Sequence, residues 1–171
     1  MHPYWKLVVL AALLVVPFQT NAQDVPFLET PESVVEAMLE LAEVSEDDVV
    51  YDLGSGDGRI VIAAAAKYGA SGVGIESDSE LILLSNKKAA EAGVEGRVRF
   101  VLRDFFKADF SRATVVVMYL SPKVNRKLQP LLAEQLASGT RVVSHKYEIA
   151  GWEPVERIKA EGRAIYLYVV P

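Results

Sequence analysis

A short apolar strand that runs into a glycine-rich loop, and then directly into a helix, constrains this chain more than any other feature. The loop is Gly54-Ser55-Gly56-Asp57-Gly58, between the apolar residues Val49–Leu53 and an alanine-rich segment from Ile60 to Tyr68. Alternate glycines allow a tight turn and bring backbone N–H groups close to a ligand with no Cβ in the way. The helix N-terminus adds free N–H groups and partial positive charge. We therefore expect a ligand-binding turn at the end of a buried strand.

A second short apolar segment, Gly72–Ile75, ends on the acidic residue Glu76. A carboxylate at the tip of the second strand suits the two hydroxyls of an unphosphorylated ribose. Together with the glycine loop, Glu76 predicts a cofactor that contains a nucleoside and argues against a 2′-phosphorylated nucleotide.

The acidic residues of the loop select among such cofactors. A dinucleotide site has the pattern G-x-G-x-x-G, whereas this loop reads G-x-G-x-G and carries Asp52 before it and Asp57 within it. Two carboxylates would repel a pyrophosphate but attract an ammonium or a sulfonium. S-adenosylmethionine carries both cations and no phosphate, so it is the expected cofactor; a nicotinamide oxidoreductase is the less favoured alternative.

The remaining patterns predict an α/β fold: a Rossmann-like, seven-stranded, mostly parallel sheet with helices on both faces and a C-terminal antiparallel hairpin. Thr30 is the expected N-cap of a helix through Leu41, and Ser79 that of the helix Glu80–Ala92. Pro130 is expected to kink or divide the helix that begins at Pro122. The predicted strands, with the one at 98–102 near a sheet edge, are 49–53, 72–75, 98–102, 114–118, 140–144, 155–159 and 164–170.

Residues 1–22 differ from the rest of the chain. Lys6 precedes an apolar run from Leu7 to Val16, and small residues follow up to Ala22. The run is too short to cross a bilayer comfortably and fits a secretory signal peptide cleaved after Ala22. We therefore expect residues 23–171 to form the mature domain, in the periplasm or cell envelope. An uncleaved membrane anchor, or a wrongly chosen start codon in a cytoplasmic protein, is the alternative.

Composition limits the chemistry. Without Lys6 the chain would carry 17 basic residues against 23 acidic ones, a net charge of −6, which disfavours a nucleic-acid partner. There is no cysteine, and His145 would be the one histidine of the mature chain, so neither a metal site nor a cysteine nucleophile is expected. We expect a monomer.

Several segments together resemble one family. They are Tyr51–Ala64, Ala113–Val116, Gly139–His145 and Gly151–Pro154. The glycine loop is similar to motif I of the class I S-adenosylmethionine-dependent methyltransferases. The further elements Arg-Val-Val-Ser-His and Gly-Trp-x-Pro resemble the archaeal broad-specificity protein-lysine methyltransferase and the mitochondrial enzymes that methylate a lysine of the c-ring protein of ATP synthase. The resemblance implies a protein lysine as the acceptor.

The resemblance also implies roles for individual residues. Asp52 and the loop Gly54–Gly58 would hold the methionine part of the cofactor, and Glu76 the ribose hydroxyls. Asp104 would accept a hydrogen bond from the adenine amino group, beside the backbone of Phe105.

A segment before the first helix would cover the cofactor. This cover segment is Phe27–Thr30, with Thr30 as a cofactor contact, and it departs from the family pattern. Family members usually read Tyr-Val-Pro-Thr-Pro where this chain has Phe27-Leu28-Glu29-Thr30-Pro31. The missing hydroxyl and the added Glu29 change the contacts on the substrate side.

Acceptor-side residues are less clearly indicated. Tyr119, after the fourth strand, is the candidate that lines the acceptor channel, with simple packing as the alternative. Asn125 is expected on a helix surface rather than at the substrate, and His145 in a structural hydrogen bond rather than as a base. Trp152 is expected to pack at the core or edge, and Asp109 to be a solvated loop residue or cap.

Two other functions remain open. A small-molecule N- or O-methyltransferase would normally need a larger lid over its substrate than this minimal domain offers. An exported, catalytically idle module that binds a partner is the second, although the intact loop with Glu76 and Asp104 argues against it.

Overall fold

The computed structural model describes residues 28–171, so the predicted targeting segment 1–22 and Phe27 lie outside the described residues. One 3-10 turn, Phe105–Lys107, accompanies the longer elements. In chain order these are α1 Glu32–Leu41, β1 Val49–Leu53, α2 Arg59–Tyr68, β2 Ser71–Glu76, α3 Ser79–Glu91, β3 Val98–Leu102, β4 Val115–Met118, α4 Pro122–Gln135, β5 Arg141–His145, β6 Glu156–Ala160 and β7 Arg163–Val169.

The strands form one seven-stranded sheet in the order β3-β2-β1-β4-β5-β7-β6. The first five strands along the chain are parallel to one another, and β7 runs antiparallel to both β5 and β6. The predicted mixed sheet, its terminal hairpin and the edge position of β3 are therefore confirmed.

Apolar side chains cover both faces of the sheet. In β4, Val115 and Val117 pack into one cluster with α1 and α2, while Val116 and Met118 pack into another with α4. Successive side chains of a strand point to opposite faces, so a continuous apolar strand is suited to burial between two helical layers. This sandwich places the carboxyl ends of β1, β2 and β4 at one edge of the domain.

Two predicted helix caps are wrong. α1 begins after Pro31, without a side-chain cap, and the Thr30 hydroxyl instead faces His145. α3 is capped by Asp78, whose carboxylate accepts hydrogen bonds from the N–H groups of Glu80 at 2.8 Å and Leu81 at 3.4 Å. Asp78 has the extended backbone that an N-cap requires, whereas Ser79 is already helical.

Pro130 does not divide α4, which runs unbroken from Pro122 to Gln135. Proline removes one backbone donor from the helix interior. The buried side chains of Leu128 and Leu132, on either side of it, anchor both halves of the helix in the same core.

Candidate active site

An open cleft of about 540 Å³ lies at the carboxyl ends of β1, β2 and β4. Strand order reverses between β1 and β4, which is where open α/β sheets bind their ligands. Eight of the predicted site residues line the cleft: Thr30, Asp52, Gly54, Ser55, Asp57, Glu76, Phe105 and Tyr119. Gly56, Gly58 and Asp104 do not line it.

The glycines of the loop adopt backbone conformations that favour glycine. Gly54, Gly56 and Gly58 have φ values of 83°, 54° and 78°. A Cβ on Gly58 would also lie 2.5 Å from the Phe100 ring. The turn therefore needs glycine both for its backbone angles and for its close approach to neighbouring side chains.

Glu76 is joined to the loop by its side chain. Its Oε2 accepts a hydrogen bond from the Gly56 N–H at 2.9 Å. Its Oε1 accepts from the N–H groups of Ser77 at 2.6 Å and Asp78 at 3.0 Å. A carboxylate offers about four lone-pair sites, so the fixed Glu76 can still accept hydrogen bonds from ribose hydroxyls.

Asp52 is the uncompensated charge of the cleft. Its side chain lies in β1 near the end of the strand, is only 3% exposed, and within residues 28–171 it has no hydrogen-bonded or ion-paired partner. Burial, together with the nearby carboxylates of Glu76 and Asp57, raises the pKa of Asp52 to about 8. A cation at this position would favour the ionised form of Asp52.

Asp57, by contrast, is neutralised by the protein. Arg59 donates to it from Nε at 2.9 Å and from Nη2 at 2.7 Å, and Lys88 of α3 also donates to it. Burial alone would raise the pKa of Asp57, but these hydrogen bonds and charges outweigh it and hold the pKa at about 2. We predicted from the sequence that both loop carboxylates attract a cationic cofactor; the charges fit that role for Asp52 and not for Asp57. Direct ligand contact by Asp57 stays a prediction.

Arg59 also fastens the cover segment. Its Nη1 donates to the backbone carbonyl of Thr30 at 2.9 Å, and its Nη2 lies 3.2 Å from Glu29 Oε2. Leu28 and Thr30 line the cleft, so Arg59 links the cover to the glycine loop through Asp57. Sequence reasoning missed this role. The added Glu29 was the available signal, because an acid there favours a basic partner.

The adenine side of the cleft is formed by the residues after β3. Phe105 is buried and lines the cleft. The Asp104 carboxylate accepts a hydrogen bond from the Phe106 N–H at 3.0 Å and caps the 3-10 turn. The capping alternative is thus realised, while an adenine contact by Asp104 stays a prediction.

Tyr119 follows β4 and forms the opposite wall. Its ring lies 4.1 Å from the ring of His145, measured between centroids. His145 is fully buried, and its Nδ1 lies 3.4 Å from Thr30 Oγ1. Burial, then the charges of Arg163 and Lys146, lower the pKa of His145 to about 4. The imidazole is therefore neutral at pH 7 and supports Tyr119 and the cover segment, as the structural interpretation predicts.

Asn125 is not on the helix surface, so that prediction is wrong. It is fully buried, and its amide nitrogen lies 3.4 Å from Ser144 Oγ and from the carbonyl oxygens of Tyr147 and Glu148. The prediction failed because α4 packs over the turn after β5, which helical periodicity alone does not reveal.

Two further predictions, both structural, are confirmed. Trp152 packs edge-on against Tyr168 with ring centroids 6.0 Å apart. The exposed Asp109 accepts hydrogen bonds from the Ser111 N–H at 2.9 Å and hydroxyl at 2.7 Å, which closes a loop. Neither residue lines the cleft.

Comparison with known proteins agrees with this site. A protein-lysine N-methyltransferase of Saccharolobus islandicus (strain REY15A) is 49% identical over 151 residues, covering 85% of this chain and 94% of that protein. The human lysine N-methyltransferase named for the C-type subunit of ATP synthase is 33% identical over 149 residues. That match spans 85% of this chain but only 63% of the human protein.

A solved structure gives the same architecture. The crystal structure of an RNA methyltransferase from Salinibacter ruber, in complex with S-adenosyl-L-homocysteine, is 53% identical, with a TM-score of 0.83 over 84% of this chain and 94% of that one.

The strand order, the glycine loop and the acidic end of β2 define a class I S-adenosylmethionine-dependent methyltransferase. The match to a family model is more specific, and it covers residues 52–156, from the end of β1 to the start of β6. The chain belongs to the ANTKMT methyltransferase domain family.

Proposed function

We propose that this protein transfers the methyl group of S-adenosylmethionine to lysine side-chain amines of other proteins. The observation that carries the proposal is the 49% identity to an archaeal protein-lysine N-methyltransferase along 94% of that protein's length. The charges and walls of the cleft suit this chemistry.

The residues of the cleft fit the cofactor. The buried Asp52 has no partner among the described residues, so its carboxylate is available to the cationic methionine part of S-adenosylmethionine. Glu76 is held in place to accept from the ribose hydroxyls. Within residues 28–171 no cluster of His, Asp and Glu has the arrangement of a metal site.

The protein contributes positioning and desolvation. S-adenosylmethionine supplies an electrophilic methyl group on a sulfonium, and the acceptor amine must be neutral to attack it. An unperturbed lysine is neutral in roughly one molecule of 2,500 at pH 7. The apolar walls Phe105 and Leu120 and the ring of Tyr119 exclude water from the acceptor side, and desolvation favours the neutral amine.

The test uses radiolabelled S-adenosylmethionine with envelope and cytosolic protein extracts. We expect labelled protein bands with the wild-type protein and none with Glu76→Ala, and mass spectrometry should place the methyl groups on lysine. The exposed-surface variant Lys159→Met is the control and should label like wild type. Cofactor binding without any labelled protein would contradict the proposal.

RNA is the second candidate acceptor, because the 53% identical Salinibacter ruber structure is that of an RNA methyltransferase. The formal net charge of −5 disfavours it, since RNA binding needs a basic face. Total RNA in a parallel reaction decides between the two. Label that survives proteinase K and is lost to ribonuclease would transfer the assignment to RNA.

We also propose that residues 1–22 direct export and are removed, which leaves a monomeric domain in the cell envelope. The support is the apolar run from Leu7 to Val16 followed by small residues. No helix within residues 28–171 is long and apolar enough to span a membrane. Cell fractionation with N-terminal mass spectrometry tests the export, and light scattering tests the monomer. An intact Met1 in the cytosol would contradict the export.

A further inference from the structure

Two tyrosines and a lysine lie together beside the cleft, after β4 and β5. The rings of Tyr119 and Tyr147 are stacked, with centroids 6.5 Å apart and an interplanar angle of 23°. The ammonium of Lys146 lies 5.1 Å from the centroid of the Tyr147 ring. Hydrogen bonding to Tyr147, followed by the charges and hydroxyl of the two tyrosines, raises the pKa of Lys146. The structure thus contains a butylammonium group held by two aromatic residues.

The turn that presents these groups is firmly built. Lys146 has a φ of 70°, a left-handed conformation that non-glycine residues adopt only where surrounding contacts hold them. Its N–H donates to the Ala164 carbonyl at 2.7 Å. The buried amide of Asn125 lies 3.4 Å from the Tyr147 carbonyl oxygen. Lys146 and Tyr147 are therefore placed beside Tyr119 by the fold rather than by a freely moving loop.

The acceptor of the proposed reaction has the same chemical group as Lys146. Aromatic faces attract alkylammonium ions, and tyrosine hydroxyls accept their hydrogen bonds. Tyr119 also lines the cleft that holds Asp52 and the glycine loop, so the site adjoins the cofactor region.

We propose that Tyr119 and Tyr147 form the site that receives the ammonium of the acceptor lysine, and that Lys146 occupies this site until the acceptor displaces it. This inference rests on the proposed function, because it names the acceptor subsite of that reaction. Lys146 is then an internal competitor that sets the affinity for substrate, and it takes no part in the methyl transfer.

The test measures binding of n-butylammonium to the S-adenosylhomocysteine complex, followed by the NMR signals of ¹³C-labelled tyrosine rings. We expect Lys146→Met to tighten binding about two- to five-fold, the range that one exposed cation–π contact supplies. Tyr147→Ala should weaken it by a similar factor. Lys159→Met, which removes an exposed lysine from β6, should bind like wild type, and the uncharged n-butanol should not shift the tyrosine signals.

Steady-state methylation of a lysine peptide supplies the second readout. Lys146→Met should lower KM by the same factor and leave kcat unchanged, because it removes a competitor and no reacting group. Unchanged or weaker n-butylammonium binding in Lys146→Met would overturn the inference even if lysine methylation is established. Tighter binding without any methyl transfer would overturn the proposed function and leave the alkylammonium site standing.

Discussion

The carboxylate of Glu76 is hydrogen-bonded to the backbone N–H of Gly56, so the acidic end of β2 and the glycine loop form one unit. Glu76→Ala removes this bond together with the proposed ribose contact. Hydrogen bonds to charged groups contribute about 1.5–3 kcal/mol, so we expect the affinity for S-adenosylhomocysteine to fall about 10- to 100-fold. Isothermal titration measures it.

Glu76→Gln is the matched control, because the neutral amide retains one acceptor oxygen for Gly56. We expect its affinity to lie between those of wild type and Glu76→Ala. Equal affinity in all three proteins would show that Glu76 does not contact the ligand.

The proton on Asp52 makes cofactor binding pH-dependent. With a pKa of about 8 in the free protein, Asp52 is mostly protonated at pH 6, and a bound cation favours its ionised form. We therefore expect the affinity for S-adenosylhomocysteine to rise from pH 6 to pH 8, with release of a proton. Titrations in buffers of different ionisation enthalpy measure that proton. Asp52→Asn should show a flatter profile, and an equal slope in both proteins would exclude this role.

The same carboxyl group affects folding in the opposite direction. Its pKa is about 8 in the folded protein against an ordinary value of 3.8, so between these values the folded state binds a proton that the unfolded state has lost. The contribution of Asp52 to the unfolding free energy therefore falls as the pH rises from about 4 to 8. Urea unfolding at pH 5 and pH 8 should show Asp52→Asn gaining stability relative to wild type at the higher pH. A difference independent of pH would refute this.

Gly58 combines two requirements that a second glycine separates. Gly58 has a φ of 78° and no room for a Cβ beside Phe100, whereas Gly139 has a φ of 85° and open space around it. Gly139→Ala should lose only about 1–2 kcal/mol of unfolding free energy, from backbone strain. Gly58→Ala should lose about 1–3 kcal/mol more, because Phe100 must move. Urea unfolding gives both values, and equal losses would show that the contact with Phe100 relaxes freely.

Arg59 should control both the stability of the loop and the order of the cover segment. Arg59→Met leaves the buried Asp57 with Lys88 as its remaining cation, and we expect a loss of about 1–3 kcal/mol of unfolding free energy. Amide hydrogen exchange around Thr30 should also become faster. Arg59→Lys keeps a cation near Asp57 and should retain more stability, yet it should show the same faster exchange. Unchanged exchange in both variants would contradict the link to the cover segment.

The parts of this fold that sequence predicts well are those written into short stretches of chain. The run Val49–Leu53, the glycines that follow, and Gly69 as the stop of α2 with a φ of 73° all depend on local backbone preference and side-chain period. Glu76 was predictable because its position at the end of β2 carries the chemistry.

The remainder depends on partners far apart in the chain. Lys88 reaches Asp57 across 31 residues, and it changes the meaning of an acidic residue in the loop. Asn125 is buried because of contacts 19 to 23 residues away. Lys146 and Tyr147 join Tyr119 only once β4 and β5 are neighbours in the sheet. Propensity and spacing carry no information about such meetings.

The guanidinium of Arg59 reaches the cover segment at the carbonyl oxygen of Thr30, a group that every amino acid possesses. Side chains in this segment can thus be exchanged without cutting the tie that holds it across the cofactor region. Related enzymes that keep such a tie are free to diversify their covers, and with them the acceptors they admit, while the cofactor machinery beneath is inherited unchanged. For an engineer, residues 28–30 are the place to start when retargeting this enzyme to a new acceptor.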